Sequence, residues 1–118
     1  MDRLIALSLV FCSCALFIPA EKEDGGQLTY HDPSAAVVQL VGDWNQWGGL
    51  AGPTEVLDPL CGVMELSEGY WRGSPPDGLA RGRYRYAFLV NGYLLQRDPL
   101  NPIGAEFRGS PVSMLIID

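Results

Sequence analysis

The sequence predicts an all-β domain, an antiparallel sandwich of about seven short strands, behind an N-terminal signal segment. Three observations lead there. Turn formers are dense: 14 glycines and 9 prolines punctuate 118 residues, which suits short strands better than long helices. The run Tyr84 to Val90 places Tyr84, Tyr86, Phe88 and Val90 on one face, because a strand has period two. Asn91-Gly92 follows it directly, and this pair between two β-rich runs is a strong hairpin signal, since both central residues of a type I′ turn need positive φ.

The elements follow in order. Leu4 to Ile18 is an apolar run broken only by Ser8 and Ser13, begun by Arg3 and ended by Pro19-Ala20 before the polar stretch Glu21 to Gly26. It is short of the ~20 apolar residues of a membrane span and reads as a signal peptide, residues 1–20, followed by a tether, residues 21–27. A lipoprotein signal is a second reading, because Ser13 is the small residue directly before Cys14; a retained anchor is a third. All three readings imply export, to the periplasm or cell envelope or beyond it. The folded domain is expected over residues 28–118.

Within that domain, Leu28-Thr29-Tyr30 is a short extended start closed by Asp32-Pro33. Ala35 to Val41 is a β-branched run that leads into Asp43-Trp44-Asn45-Gln46-Trp47. Leu50 to Gly62, with Gly52-Pro53 and Asp58-Pro59, reads as a long loop. Val63 to Leu66 and Tyr70 to Arg72 are short strands, and Gly73 to Gly82 is a second loop. After the hairpin come two proline turns, Asp98-Pro99 and Asn101-Pro102, and a closing strand Ser113 to Ile117.

Composition excludes several function classes. The net charge is -6, whereas nucleic-acid binding needs a basic footprint. Of the three cysteines, Cys12 and Cys14 lie in the signal, leaving Cys61 alone; one thiol makes neither an internal disulfide nor a zinc site. His31, the single histidine, stands far from Cys61 in the chain, so no Cys–His nucleophile is indicated. The acids Asp43, Asp58, Glu65 and Glu68 show no spacing that requires a carboxylate pair. Gly25-Gly26 and Gly48-Gly49 lack the strand–loop–helix setting of a phosphate cradle. No metal, cofactor or catalytic residue is expected.

Four motifs occur in order: Val38 to Trp47 (VQLVGDWNQW), Gly69-Tyr70-Trp71, Gly82 to Gly92 (GRYRYAFLVNG) and Asp98 to Pro102 (DPLNP). Together they resemble the family 48 carbohydrate-binding modules, which include the glycogen-binding domain of the AMP-activated kinase β subunit and the N-terminal domains of isoamylases and branching enzymes. The resemblance runs from about Leu28 to Asp118. It implies an immunoglobulin-like (early-set) sandwich without catalytic activity that binds α-glucans such as glycogen. It also implies that sugar stacks on Trp47, an arrangement in which a flat indole meets the apolar face of a hexose. A plug closing one end of the sandwich is the alternative role for Trp47. Trp44 and Trp71 fall at core positions of the family.

Three contact positions of the family are changed. Its second stacking tryptophan is Leu94 here, beside Tyr93; its hairpin lysine is Ala87; its asparagine before the last strand is Val112, beside Ser113. Tyr93, Arg85 and Arg97 are possible substitutes, and the carbohydrate contacts expected are Trp47, Tyr93, Arg85, Leu94 and Ser113. Two function classes stand side by side. One is an exported, non-catalytic α-glucan-binding module, alone or placing a glucan-active enzyme on its substrate. The other is a sandwich repurposed to bind a protein partner in the cell envelope. Contact with a membrane is expected only through the signal segment or a lipid on Cys14.

Overall fold

A computed structural model describes residues 26–118. The expected signal segment, Cys14 and residues 21–25 of the tether lie outside the described residues. The described residues form eight strands: β1 (Leu28–His31), β2 (Val38–Gly42), β3 (Glu65–Ser67), β4 (Tyr70–Gly73), β5 (Gly82–Val90), β6 (Leu94–Gln96), β7 (Gly104–Phe107) and β8 (Ser110–Ile117). A 3₁₀ segment, Asp43–Gly49, follows β2. One sheet has the order β1-β4-β3; the other has the order β2-β5-β8-β7, with β6 also on β5. Every pairing is antiparallel, and the protein is an all-β sandwich.

Strand β5 organises the larger sheet. Its C-terminal half pairs with β2, from Gly42↔Tyr86 to Val38↔Val90, and its N-terminal half with β8, from Gly82↔Ile117 to Tyr86↔Ser113. Its alternation sends Tyr86, Phe88 and Val90 toward the smaller sheet, where they pack with Val38, Leu40, Met64 and Trp71. Tyr30 of β1 meets Phe88 at 5.0 Å between ring centroids. Trp71 is buried, as expected, and its indole N–H donates to the Asp32 carbonyl at 2.8 Å. The turn after β5 has both Asn91 (φ 55°) and Gly92 (φ 79°) in the left-handed region, as its sequence requires. The Asn91 side chain accepts the N–H groups of Ala36 and Val37 at 2.8 and 3.3 Å, so the hairpin tip is tied to the start of β2.

Two elements were not expected from sequence. The 3₁₀ segment forms because Asn45 Oδ1 accepts the Gly42 N–H at 3.0 Å and the Gly48 N–H at 3.3 Å, folding the chain around one side-chain amide. Strand β7 forms because Arg108 (φ 50°) and Gly109 (φ 83°) make a left-handed turn that lays Gly104–Phe107 on the first part of β8.

The outer flank of β2 is closed as well. The Leu40 N–H donates to the Gly62 carbonyl at 2.7 Å and the Met64 N–H to the Val38 carbonyl at 2.9 Å. The buried Gln39 amide donates to the carbonyls of Asp58 and Cys61, both at 2.9 Å. Gly62 sits at φ 70°, and a Cβ there would strike the Leu40 carbonyl oxygen; only glycine allows the loop this close.

Candidate functional site

The other residues of β5 point outward, and the face they make is the one on which the resemblance places sugar. Arg85, Ala87 and Leu89 alternate with the inward set. Ala87 and Leu89 pack with Val41 of β2, Val112 of β8, Phe107 of β7 and Trp47. The loop residues Leu50 and Leu57 close over this cluster. The outer face of the larger sheet is therefore a second apolar core, covered by the chain itself.

Trp47 lies inside it, 1% exposed. Its ring stacks on Phe107 with centroids 3.9 Å apart and planes 11° from parallel. Its indole N–H donates to Asp43 Oδ1 at 3.0 Å. The backbone reaches this position through four consecutive left-handed residues, Gln46 (φ 54°), Trp47 (φ 56°), Gly48 (φ 72°) and Gly49 (φ 108°). Two of these are not glycine, a conformation that costs of order 1–3 kcal/mol per residue and persists only where the surroundings impose it. Here the Asp58 N–H donates to the Gly48 carbonyl at 2.8 Å, and the Ala51 N–H to the Gln46 carbonyl at 3.0 Å. Gly48 and Gly49 are close-approach glycines: a Cβ on Gly49 would strike the Val56 carbonyl, and one on Gly48 would press on Leu57 and Val41. The indole is buried as a plug would be, but on the outer face of the larger sheet rather than at an end of the sandwich. A sugar ring finds no free indole face there.

Arg85 serves the same construction. Its Nε and Nη2 donate to the two carboxylate oxygens of Asp43 at 3.2 and 3.0 Å, and its Nη1 to the Glu106 carbonyl at 3.0 Å. Its backbone N–H also donates to Asp43 Oδ2, at 2.7 Å. Asp43 thus receives Arg85 and Trp47 together. Burial pushes its carboxyl up, but the hydrogen bonds from Arg85 and Trp47 and the guanidinium charge outweigh this and hold it below the usual carboxylate range. A carboxylate with a lowered pKa adds stability above the unfolded-state value and loses it as pH falls through the folded-state one. Arg85→Gln is therefore expected to cost about 1 kcal/mol near neutral pH, a modest figure because both side chains are partly exposed. Urea denaturation should show that cost shrinking as the pH drops below the usual carboxylate range. A cost that does not change with pH would remove Asp43 as its source.

The remaining expected contacts are dispersed. Ser113 is wholly buried, and its hydroxyl accepts the Asp98 N–H at 2.8 Å, so it offers no surface to a sugar. Tyr93 and Leu94 stand on the hairpin tip, 78% and 44% exposed. Trp44, expected in the core, is only half-buried: it leans on Tyr84 and Tyr86 at 6.5 and 6.3 Å between centroids and lines a surface groove. The expected set therefore separates into a buried platform, its clamp Arg85, an internal hydroxyl and an exposed hairpin pair. Sequence reasoning gave Asp43 no role and passed over Phe107 and Arg108. Arg108 lies over the Phe107 ring at 5.1 Å from its centroid. No periodicity marks these residues; the turn glycine Gly109 is the one local signal that the chain doubles back there.

No protein-family model matches the chain. Over 60 residues it is 42% identical to the 1,4-alpha-glucan branching enzyme GlgB of Mycobacterium tuberculosis (strain H37Rv), and equally to those of Mycobacterium bovis (strain BCG) and Mycobacterium ulcerans. The match covers 51% of this chain and 7% of each enzyme. The similarity thus reaches a small part of those relatives.

Proposed function

We propose that the protein is a non-catalytic binding module for an α-glucan, a family 48-like sandwich that is exported to the cell envelope. The observation that carries this is the 60-residue, 42% match to enzymes named for branching 1,4-α-glucan, in a chain that folds as a sandwich. The match takes in 7% of each enzyme, which supports a shared module rather than the whole catalytic apparatus. The apolar run from Leu4 to Ile18 supports export, by cleavage or by lipidation at Cys14. Affinity electrophoresis of the full chain in gels containing glycogen tests the reading. Migration is expected to slow as glycogen increases, and to recover when free maltohexaose competes. A folded chain that migrates unchanged at all glycogen concentrations would sink it.

A second reading, that the module binds a protein of the envelope, has its own observation. The three family contact positions hold Ala87, Leu94 and Val112, and two of them are buried beneath the chain's own loop. Beside that covered face, Val56, Leu60, Tyr93 and Leu94 remain exposed. Specific pull-down of a protein from an envelope extract, with no retardation by glycogen, would favour it.

A further inference from the structure

We propose that the groove beside Trp44, rather than the Trp47 face, takes a glucosyl unit of the α-glucan; this rests on the glucan-binding reading above. The groove runs between the flank of β2 and the loop after β4, with a volume of about 340 Å³, and its walls include Trp44, Asn45, Cys61, Val63, Ser74 and Pro76. That volume lies at the small end of ligand clefts, enough for one or two hexose rings.

The chemistry of the walls selects the ligand. None of the lining residues is charged, so a neutral ligand suits the groove better than a phosphate or a carboxylate. Trp44 brings a rigid aromatic surface, which a hexose covers with its apolar C–H face. Two of the lining residues carry hydrogen-bond donors suited to the hydroxyl rim. Among the described residues the Trp44 indole N–H has no acceptor, while those of Trp47 and Trp71 donate to Asp43 and Asp32. The Ser74 hydroxyl is exposed and likewise has no hydrogen bond among the described residues. A sugar hydroxyl can take the place of water at both donors.

The walls are also held in place before any ligand arrives. The Gln39 amide binds the Cys61 carbonyl, and Leu40 binds the Gly62 carbonyl, fixing one side. Asn45 is fixed by its bonds to Gly42, Gly48 and the Leu40 carbonyl. A site formed in advance loses less freedom on binding and keeps more of its contact energy.

Titration of the ¹⁵N-labelled full chain with maltohexaose tests this. Amide shifts are expected to centre on Asn45, Gly62, Val63 and Ser74. Ser74→Trp, at an exposed loop position, fills the groove and should weaken binding by ~10-fold or more. Trp44→Phe keeps a ring on Tyr84 and Tyr86 but removes the N–H, and should weaken binding about 3- to 10-fold. Saturable binding with shifts confined to the Tyr93 hairpin or another surface, and unchanged in Ser74→Trp, would overturn the groove and leave the glucan reading standing. A folded chain that binds neither maltohexaose nor glycogen would remove both.

Discussion

Trp47→Ala is expected to destabilise the protein by about 3–5 kcal/mol. That is a large share of the ~5–15 kcal/mol that holds a domain of this size together. The indole is 1% exposed and packs on Phe107, Ala87, Leu89 and Val112. Removing it leaves a cavity under Leu50 and Leu57, and it takes one hydrogen-bond donor from Asp43. The thermal midpoint should fall by roughly 15–30 °C. By contrast, Tyr93→Ala at the exposed hairpin tip should change stability by about 0.5 kcal/mol or less. The backbone offers a sharper test. Residue 47 sits at φ 56°, where alanine keeps a steric penalty that glycine escapes. Trp47→Gly should therefore be at least as stable as Trp47→Ala, the reverse of the usual order in a strand or helix. If Trp47→Ala were as stable as wild type and lost only glycogen retardation, the indole would have to leave this core in solution and act as the sugar platform.

Much of the sandwich was legible because its signals are local. The alternation of Tyr84 to Val90 assigns one face of β5 to the inter-sheet core, and Asn91-Gly92 dictates the turn that follows. Strand β7 carried no such signal. Gly104-Ala105-Glu106-Phe107 neither alternates nor is rich in β-branched residues; it becomes a strand by pairing with β8, which is information held in another part of the chain. The two tryptophans show where the site escaped the sequence. Trp44 and Trp47 are three residues apart, and on a regular 3₁₀ helix they would lie on one face. The left-handed run beginning at Gln46 breaks that rule. It leaves Trp44 against Tyr84 and Tyr86 on the inter-sheet side and carries Trp47 to the opposite side of the larger sheet. Ala87 and Val112 were visible as departures from the family's polar contacts. Their structural meaning is a drier surface on which Trp47 and the Leu57 loop settle, and that requires knowing that β5 and β8 lie side by side.

The second large effect is expected at Asp98, which stands in one of the proline turns and is 3% exposed. Its Oδ2 accepts the Tyr86 hydroxyl at 2.7 Å, and its Oδ1 accepts the Leu100 N–H at 2.9 Å. Tyr86 in turn accepts from Asn101 Nδ2 at 3.0 Å, and the same amide donates to the Met114 carbonyl at 2.8 Å. This network ties the segment after β6 to the middle of β5 and to β8. Asp98→Ala takes the acceptor from the buried Tyr86 hydroxyl and from the part-buried Leu100 N–H, and should cost about 2–4 kcal/mol in urea denaturation. Asp98→Asn keeps the shape but has one acceptor oxygen for two donors, so its cost should fall between wild type and alanine. Tyr86→Phe and Asp98→Ala should not add: a double-mutant cycle is expected to give a coupling of about 1–3 kcal/mol. Alkaline pH separates the partners. Burial above all, with the Asp98 charge beside it, pushes the Tyr86 hydroxyl well above its ordinary value. The stability it supplies is complete below the unfolded-state pKa and is lost as pH rises above it. Wild type should therefore weaken above about pH 10, and Tyr86→Phe should weaken less over the same range. Equal alkaline slopes, or a coupling near zero, would mean that Asp98 holds its turn through Leu100 and Ser113 alone, with Tyr86 serving only as packing.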